Sequence, residues 1–315
     1  MGQVINGYTI TQDFTTHGAG MCRWAIAIKN GEQYFIKEFL EPKYPADGAF
    51  SEVNLRHMRE QCTEFFKERS SFYDALRDSN NGNIVAPKEF FRYGTKYYLT
   101  SEYITAVGLT AAQLLRLPDD KKRLLLKVLS SSMAGVHQNG LVHSDMKLDN
   151  ILIKQTSSGS YTAKIIDFDS GFRVCNPPGV DDEVVGDDVY FAPETIMFMN
   201  GEDVKLTEKI DIFALGIIFH QIWSGELPKY GAGYSNVADA VADDAYLLLH
   251  PSIPYKEAEI IRLMLNREPR MRPSAAEVLA YLNGQPSLVP DPPPEPEKDP
   301  EPNPEEIIWK PPEIK

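Results

Sequence analysis

The eight residues His143–Asn150, HSDMKLDN, place several chemically capable side chains close together in the sequence. Asp145 can accept the proton of a hydroxyl group, and the amide oxygen of Asn150 can ligate a magnesium ion. Lys147 lies between them and can neutralise a terminal phosphate. Phosphoryl transfer needs positioning and charge neutralisation more than covalent chemistry from the protein. The spacing therefore points to phosphoryl transfer, at a corner between a helix and a strand.

This octapeptide resembles the HRDxxxxN catalytic loop of the eukaryotic-like Ser/Thr protein kinases. A lysine two residues after the aspartate is the form found in the Ser/Thr branch. Ser144 takes the place of the arginine, so the resemblance is to a divergent, non-RD type. Four further segments resemble motifs of the same family, in the same order: IIDFDSG from Ile165, FAPE from Phe191, DIFALG from Asp211 and MRP from Met271.

The resemblance extends over about residues 8 to 283 and implies an α+β, bilobal fold. A small N-terminal β-sheet lobe with one helix would span residues 8–104, and a larger helical lobe would span residues 105–283. In this family an aspartate of the buried helix braces the backbone of the catalytic loop, and Asp211 is expected to have this role. Arg272 is expected to pair with Glu194.

The hydrophobic pattern of the chain agrees with these two lobes. Residues 8 to 40 read as strands, and the Asn30-Gly31 pair is a strong hairpin signal. Residues about 50 to 77 show helical spacing of apolar side chains. A second helix is expected after Asp119, with Gly140 at its end.

The resemblance assigns roles to four residues of the larger lobe. Asp145 would orient and deprotonate the hydroxyl of the substrate, and Lys147 would shield the γ-phosphate of ATP. Asn150 and Asp167 would hold Mg²⁺.

The smaller lobe supplies the remaining ionic contacts to the nucleotide. Lys37 stands at the position of the lysine that contacts the α and β phosphates. Its partner is expected to be Glu68, which Phe72 follows at a spacing of four residues; Glu64 is the second choice.

Several residues are expected to line the nucleotide pocket. Gly18 and Gly20 form an incomplete glycine-rich loop, whose backbone amides can still contact phosphates. Glu102 and Ile104 would meet the adenine edge with their backbone groups, and Leu152 would form the floor.

Two positions above the adenine differ from the family pattern. Phe35 stands where the family has a small alanine, and Ala25 stands where it has valine. A compensated exchange is expected, in which the larger side chain has moved from one roof position to the other.

The metal-binding and activation segments also depart from the family. Asp169 replaces the glycine of DFG, and two readings stay open: a further metal ligand, or a residue that stiffens the hinge. The segment 171–194 contains no serine or threonine, and Tyr190 is its only hydroxyl. Together with Ser144, this predicts an activity that needs no phosphorylation of the segment.

Composition limits the classes of partner. The 315 residues carry a net charge of −13, which disfavours nucleic acid, and no apolar segment is long enough to cross a membrane. The three widely spaced cysteines favour a reducing, cytoplasmic location. The Pro- and Glu-rich segment 284–315 is expected to be an extended, disordered tail. Such a segment could bind a partner that recognises polyproline.

Two alternatives to a protein kinase that uses ATP and Mg²⁺ stay open at this stage. One is a pseudokinase that binds nucleotide and acts as a scaffold, favoured by the incomplete glycine loop, Phe35 and Ser144. The other is a small-molecule kinase of the aminoglycoside or choline type, in which a second acid also follows the metal-binding aspartate.

Overall fold

The computed structural model describes residues 2–16, 22–48, 51–104, 111–156, 159–179 and 184–285. Gly18 and Gly20 of the predicted phosphate loop lie outside these ranges, as do residues 286–315 of the tail. No helix in the described ranges has the length and apolar composition that a membrane span requires.

The N-terminal part of the chain is an antiparallel sheet of six strands in the order β1-β2-β3-β4-β6-β5. Its strands are β1 Val4–Ile5, β2 Tyr8–Ile10, β3 Cys22–Lys29, β4 Glu32–Phe39, β5 Glu89–Tyr93 and β6 Lys96–Glu102.

The hairpin between β3 and β4 follows from its two central residues. Asn30 and Gly31 have φ angles of 55° and 84°, both in the left-handed region. A turn with two positive φ angles matches the twist of the flanking strands, and Asn-Gly tolerates it at low cost. The resulting register places Trp24 directly opposite Lys37.

One long helix, α1 (Glu52–Asp78), packs against this sheet. It begins at Ser51, whose hydroxyl accepts a hydrogen bond from the backbone of Asn54. Phe65 of α1 meets Tyr97 of β6 edge to face at 5.2 Å, within a cluster of aromatic rings that includes Phe90. This cluster fixes the helix to strands β5 and β6.

The remainder of the chain is mostly helical. Its elements are α2 Ala111–Leu115, α3 Asp119–Gln138, β7 Leu141–Val142, β8 Ile151–Gln155, β9 Tyr161–Ile165, β10 Phe172–Arg173, α4 Pro193–Met199, α5 Lys209–Ser224, α6 Val237–Ala242, α7 Tyr255–Met264 and α8 Ala275–Leu282. The predicted α+β architecture, a small sheet with one helix followed by a helical part, is confirmed.

Helix α5 is the core of the helical part. Of its sixteen residues all but Lys209 and Gln221 are buried, as expected for a helix that is apolar on every side. Strands β7 and β10 pair antiparallel, with Phe172 opposite Val142, and β8 pairs with β9. The segment between β7 and β8 is thereby brought next to the segment between β9 and β10.

A buried ion pair ties three parts of the helical region together. Both terminal nitrogens of Arg272 donate to the carboxylate of Glu194, at 2.7 and 2.8 Å, so the predicted pairing is confirmed. The guanidinium also donates to the backbone carbonyls of Asn266, Arg267 and Lys209. Arg272 is 1% exposed, and its guanidinium donates five hydrogen bonds to acceptors of the protein itself.

Removal of one partner of this pair is expected to destabilise the protein strongly. Arg272→Met would leave the Glu194 carboxylate buried and unpaired, at a cost of about 3–5 kcal/mol in the free energy of unfolding. Lys43→Met, which breaks an exposed pair with Glu41, should cost less than about 1 kcal/mol. Urea unfolding followed by circular dichroism measures both, and equal effects would contradict the role of the buried pair.

Candidate functional site

The loop between β7 and β8 carries the octapeptide and is held from below by Asp211 of α5. The two carboxylate oxygens of Asp211 accept the backbone N–H groups of His143 and Ser144, at 2.8 and 2.9 Å. His137 of α3 lies 3.0 Å from the same carboxylate. Ser144 has a φ angle of 70°, which is unfavourable for a residue with a side chain. The hydrogen bonds from Asp211 offset this cost and confirm the expected brace.

Asp145, Lys147 and Asn150 form one cluster at the end of this loop. The Lys147 ammonium lies 2.7 Å from the Asp145 carboxylate. The amide nitrogen of Asn150 donates to the backbone carbonyl and to the carboxylate of Asp145, at 2.8 and 3.1 Å. Because the nitrogen is used in this way, the amide oxygen of Asn150 is the atom that can accept a cation.

His143 lies under the loop and is fully buried. Its Nδ1 atom accepts the backbone N–H of Asp145 at 3.3 Å, so Nε2 carries the proton and donates to the Ile166 carbonyl at 2.9 Å. Its ring packs 4.3 Å from that of Phe168. Both ring nitrogens are occupied, so His143 supports the loop and is not a proton acceptor for a substrate.

Lys37 of β4 binds two carboxylates at once. Its ammonium lies 2.6 Å from Asp167 and 2.6 Å from Asp169, both in the segment after β9. Burial lowers the pKa of the Lys37 amine, but the charges of Asp169 and Asp167 outweigh it and raise this pKa above its ordinary value. Burial also raises the pKa of Asp167, but the Lys37 charge dominates and holds it below its ordinary value.

The expected pairing between Lys37 and Glu68 is wrong for this structure. The Glu68 carboxylate is exposed and accepts a hydrogen bond from Asn176 at 3.1 Å, and Glu64 lies 3.8 Å from Lys67. The reason is the rotation of α1 about its own axis. Tyr73 lines the cleft, so the residue one turn before it on the same face is Arg69.

The predicted position of Ala25 is also wrong. Ala25 faces the other side of the sheet, where it is fully buried with Ile36 and Tyr98. Alternate residues of a strand point to opposite faces, so a shift of one residue exchanges them. Trp24 occupies the roof instead, and its ring stacks on that of Phe35 with 4.9 Å between centroids.

A cavity of about 520 Å³ lies between the sheet and the helical part. This volume is typical of small-molecule sites. Trp24 and Phe35 form its roof. Its other predicted lining residues are Lys37, Glu102, Ile104, Lys147, Asn150, Leu152 and Asp167. Asp145 joins this group through its contacts with Lys147 and Asn150. Ala25 and Glu68 do not, and Gly18 and Gly20 lie outside the described residues.

Trp24 and Tyr73 are among the lining residues that the sequence interpretation missed. Trp24 could have been found from the hairpin, because a turn centred on Asn30 and Gly31 places it opposite Lys37. Tyr73 is buried and lies next to the Phe72 that was used to choose the helix partner. Nothing in the helical spacing of apolar residues distinguishes which of the two faces the cleft.

The comparisons with known proteins agree with this geometry. The sequence model of the protein kinase domain matches residues 48–282. The chain is similar to sperm motility kinase 2B of Mus musculus, with 27% identity over 66% of this chain and 41% of that protein. It is also similar to the serine/threonine-protein kinase cds1 of Schizosaccharomyces pombe, with 23% identity over 87% of this chain and 57% of that protein.

A third relative is the human serine/threonine-protein kinase ULK1, with 25% identity over 90% of this chain and 26% of that protein. The chain thus spans less than two thirds of the length of each of these relatives.

Loss of the Asp211 carboxylate is expected to loosen the loop it supports. Asp211→Ala removes the acceptor of two backbone N–H groups, which should reduce the free energy of unfolding by about 2–4 kcal/mol. Hydrogen exchange at His143 and Ser144 should accelerate more than exchange in α7. Asp243→Ala, at an exposed position, is the control, and unchanged exchange at both loop amides in the Asp211 variant would contradict the brace.

Proposed function

Because the chain belongs to the protein kinase family, we propose that it transfers the γ-phosphoryl group of ATP to serine or threonine hydroxyls of a protein. One observation carries the proposal: Asp145 contacts Lys147 and Asn150, and both of these residues line the same cavity as Lys37 and Asp167. The identity of the protein substrate is left open.

The donor atoms in the cavity fit Mg²⁺ and a nucleotide triphosphate. The amide oxygen of Asn150 and the carboxylate of Asp167 are hard oxygen ligands of the type that Mg²⁺ prefers. Mg²⁺ held there would neutralise phosphate charge. Glu102, Ile104 and Leu152 line the same cavity and would receive the adenine through backbone groups and apolar contact.

The protein's own groups then have separate tasks in the transfer. Asp145 orients the attacking hydroxyl and accepts its proton. Lys147, already 2.7 Å from Asp145, shields the γ-phosphoryl charge, and Lys37 contacts the α and β phosphates. A lysine at position 147 is the feature that favours serine and threonine over tyrosine as acceptors.

A protein substrate is favoured over a small molecule by the buried pair of Glu194 and Arg272. This pair anchors α4 and the segment before it, on which a peptide would lie beside the catalytic loop. A panel of amino sugars assayed beside protein substrates separates the two classes.

The scaffold alternative has one observation in its favour, the stacked rings of Trp24 and Phe35 in the roof. The cavity beneath them still has a volume of about 520 Å³. Binding of Mg-ATP without transfer to any protein, including the chain itself, would establish a scaffold.

We also infer a cytoplasmic location. The three cysteines, Cys22, Cys62 and Cys175, are free thiols, as is usual in a reducing compartment. The net charge of −13 supports a protein partner rather than a nucleic acid. We also propose that the proline-rich tail, residues 284–315, binds a partner of its own.

Loss of the Asp145 carboxylate is expected to abolish transfer and spare nucleotide binding. In Asp145→Asn the side chain keeps its size but cannot accept the hydroxyl proton, so kcat should fall by about 10²–10⁴-fold. The dissociation constant for Mg-ATP, measured by calorimetry, should change by less than about threefold. Asp243→Asn is the control, and transfer at the wild-type rate by the Asp145 variant would refute the assigned base.

Activity is expected to be independent of phosphorylation of the segment 171–194. Tyr190, its only hydroxyl, is partly buried and donates a hydrogen bond to Gln221 at 2.9 Å. Ser144 stands before Asp145 where the family has an arginine, so this position has no positive charge that could bind a phosphate on the segment. Phosphatase treatment should leave kcat within about twofold. A loss of activity together with loss of a phosphate from Tyr190, seen by mass spectrometry, would contradict this.

A further inference from the structure

The ion pair between Lys37 and Asp169 is the most enclosed charge contact in the cleft. The Lys37 side chain is 10% exposed and that of Asp169 is 17% exposed, with 2.6 Å between nitrogen and oxygen. The Cys22 thiol lies 3.7 Å from the same oxygen of Asp169. Two buried opposite charges at this distance hold each other in place, because separation would leave the Asp169 carboxylate buried without the cation that it contacts.

Helix α1 brings no carboxylate to Lys37. Glu64 and Glu68 pair with Lys67 and Asn176 on the outer side of the helix. The face toward the cleft instead carries Arg69, one turn before Tyr73. The Arg69 guanidinium donates to the backbone carbonyl of Gly171 at 2.9 Å.

The charges on the cleft face of α1 and at position 169 are therefore exchanged relative to the expectation from the sequence. The cleft face of α1 carries the cation Arg69 where a glutamate was expected, and position 169 carries an aspartate where the family has glycine. The backbone at 169 does not require glycine, because the left-handed residue of this segment is Asp167, with a φ angle of 65°. An aspartate at 169 is accommodated without backbone strain.

We propose that Asp169 is the positioning residue that holds the Lys37 amine toward the phosphates of the nucleotide, in place of a glutamate of α1. This rests on the proposed function. Asp167 is also the proposed metal ligand, whereas Asp169 is assigned to Lys37 alone. Its contact with the amine is therefore expected both with and without Mg²⁺.

The exchange of charges defines the variants that test this role. Asp169→Asn keeps the shape of the side chain and removes its charge. Asp169→Gly combined with Arg69→Glu transfers the carboxylate to α1. Glu68→Gln removes the partner that the sequence favours.

Nucleotide binding separates positioning from a purely structural role, because Lys37 meets phosphates and not the adenine. ADP and adenosine are titrated by calorimetry into the full chain, each in EDTA and in excess Mg²⁺. In Asp169→Asn, ADP affinity should fall by about tenfold under both conditions, as expected for loss of a charge-assisted contact. Adenosine affinity should be unchanged, and so should ADP affinity in Glu68→Gln.

Other patterns overturn the proposal. Equal losses for ADP and adenosine would mean that Asp169 only supports the fold, and thermal unfolding identifies that case independently. A loss for ADP confined to Mg²⁺ would make Asp169 a metal ligand. A loss in Glu68→Gln would return the role to the helix.

Transfer kinetics provide the rescue experiment. Asp169→Gly should lower kcat/KM for ATP by about 10²-fold or more, and addition of Arg69→Glu should recover at least about tenfold of this loss. No recovery in a double variant that folds and binds adenosine would refute the exchange. A wild-type chain that binds ADP but transfers no phosphoryl group would instead refute the proposed function and leave the binding test of Asp169 intact.

Discussion

The buried carboxylate of Asp211 is the constraint on which the catalytic geometry depends. It lies in α5, of which all but two residues are buried, and is itself 1% exposed, so its charge has to be compensated by directed hydrogen bonds. The backbone amides of His143 and Ser144 provide them, and the loop adopts an otherwise unfavourable φ angle at Ser144 to do so. The position of Asp145 follows from this arrangement, because Asp145 is the next residue after Ser144, whose backbone is held by Asp211.

The cleft itself is organised by the balance of a few charges. Lys37 stands between Asp167 and Asp169, and Lys147 stands beside Asp145. Burial, together with the neighbouring charge of Asp167, raises the pKa of the Asp169 carboxyl above its ordinary value, although the charges of Lys37 and Arg69 act in the opposite direction. Each cation thus compensates a carboxylate that would be costly alone, and each is directed toward the space where phosphate charge would enter. Because three carboxylates stand beside two lysines, the site itself is net negative, and Mg²⁺ held by Asn150 and Asp167 would supply the further positive charge that a triphosphate needs.

The sequence was a good guide wherever the decisive interaction is local or involves a rare residue type. The Asn30-Gly31 turn, the catalytic octapeptide and the buried charges Asp211 and Arg272 could be placed because few structures accommodate them. The face of a strand or helix on which a residue lies was harder to predict. The error at Ala25 is a register shift of one residue, which reverses the face of a strand, and no apolar alternation corrects it because both faces of β3 are partly buried.

The error in choosing Glu68 has a different physical origin, and it bears on how the site is controlled. Both Phe72 and Tyr73 are buried, so the rotation of α1 is decided by packing against the rest of the protein and not by its own periodicity. With Arg69 on the inner face, the anion that holds Lys37 comes from the segment that also carries Asp167. The position of Lys37 is then set by two carboxylates of one short segment and not by a carboxylate of α1. A site assembled in this way has no need of a phosphorylated activation segment to bring a helix carboxylate inward, which agrees with the lack of serine and threonine between Gly171 and Glu194.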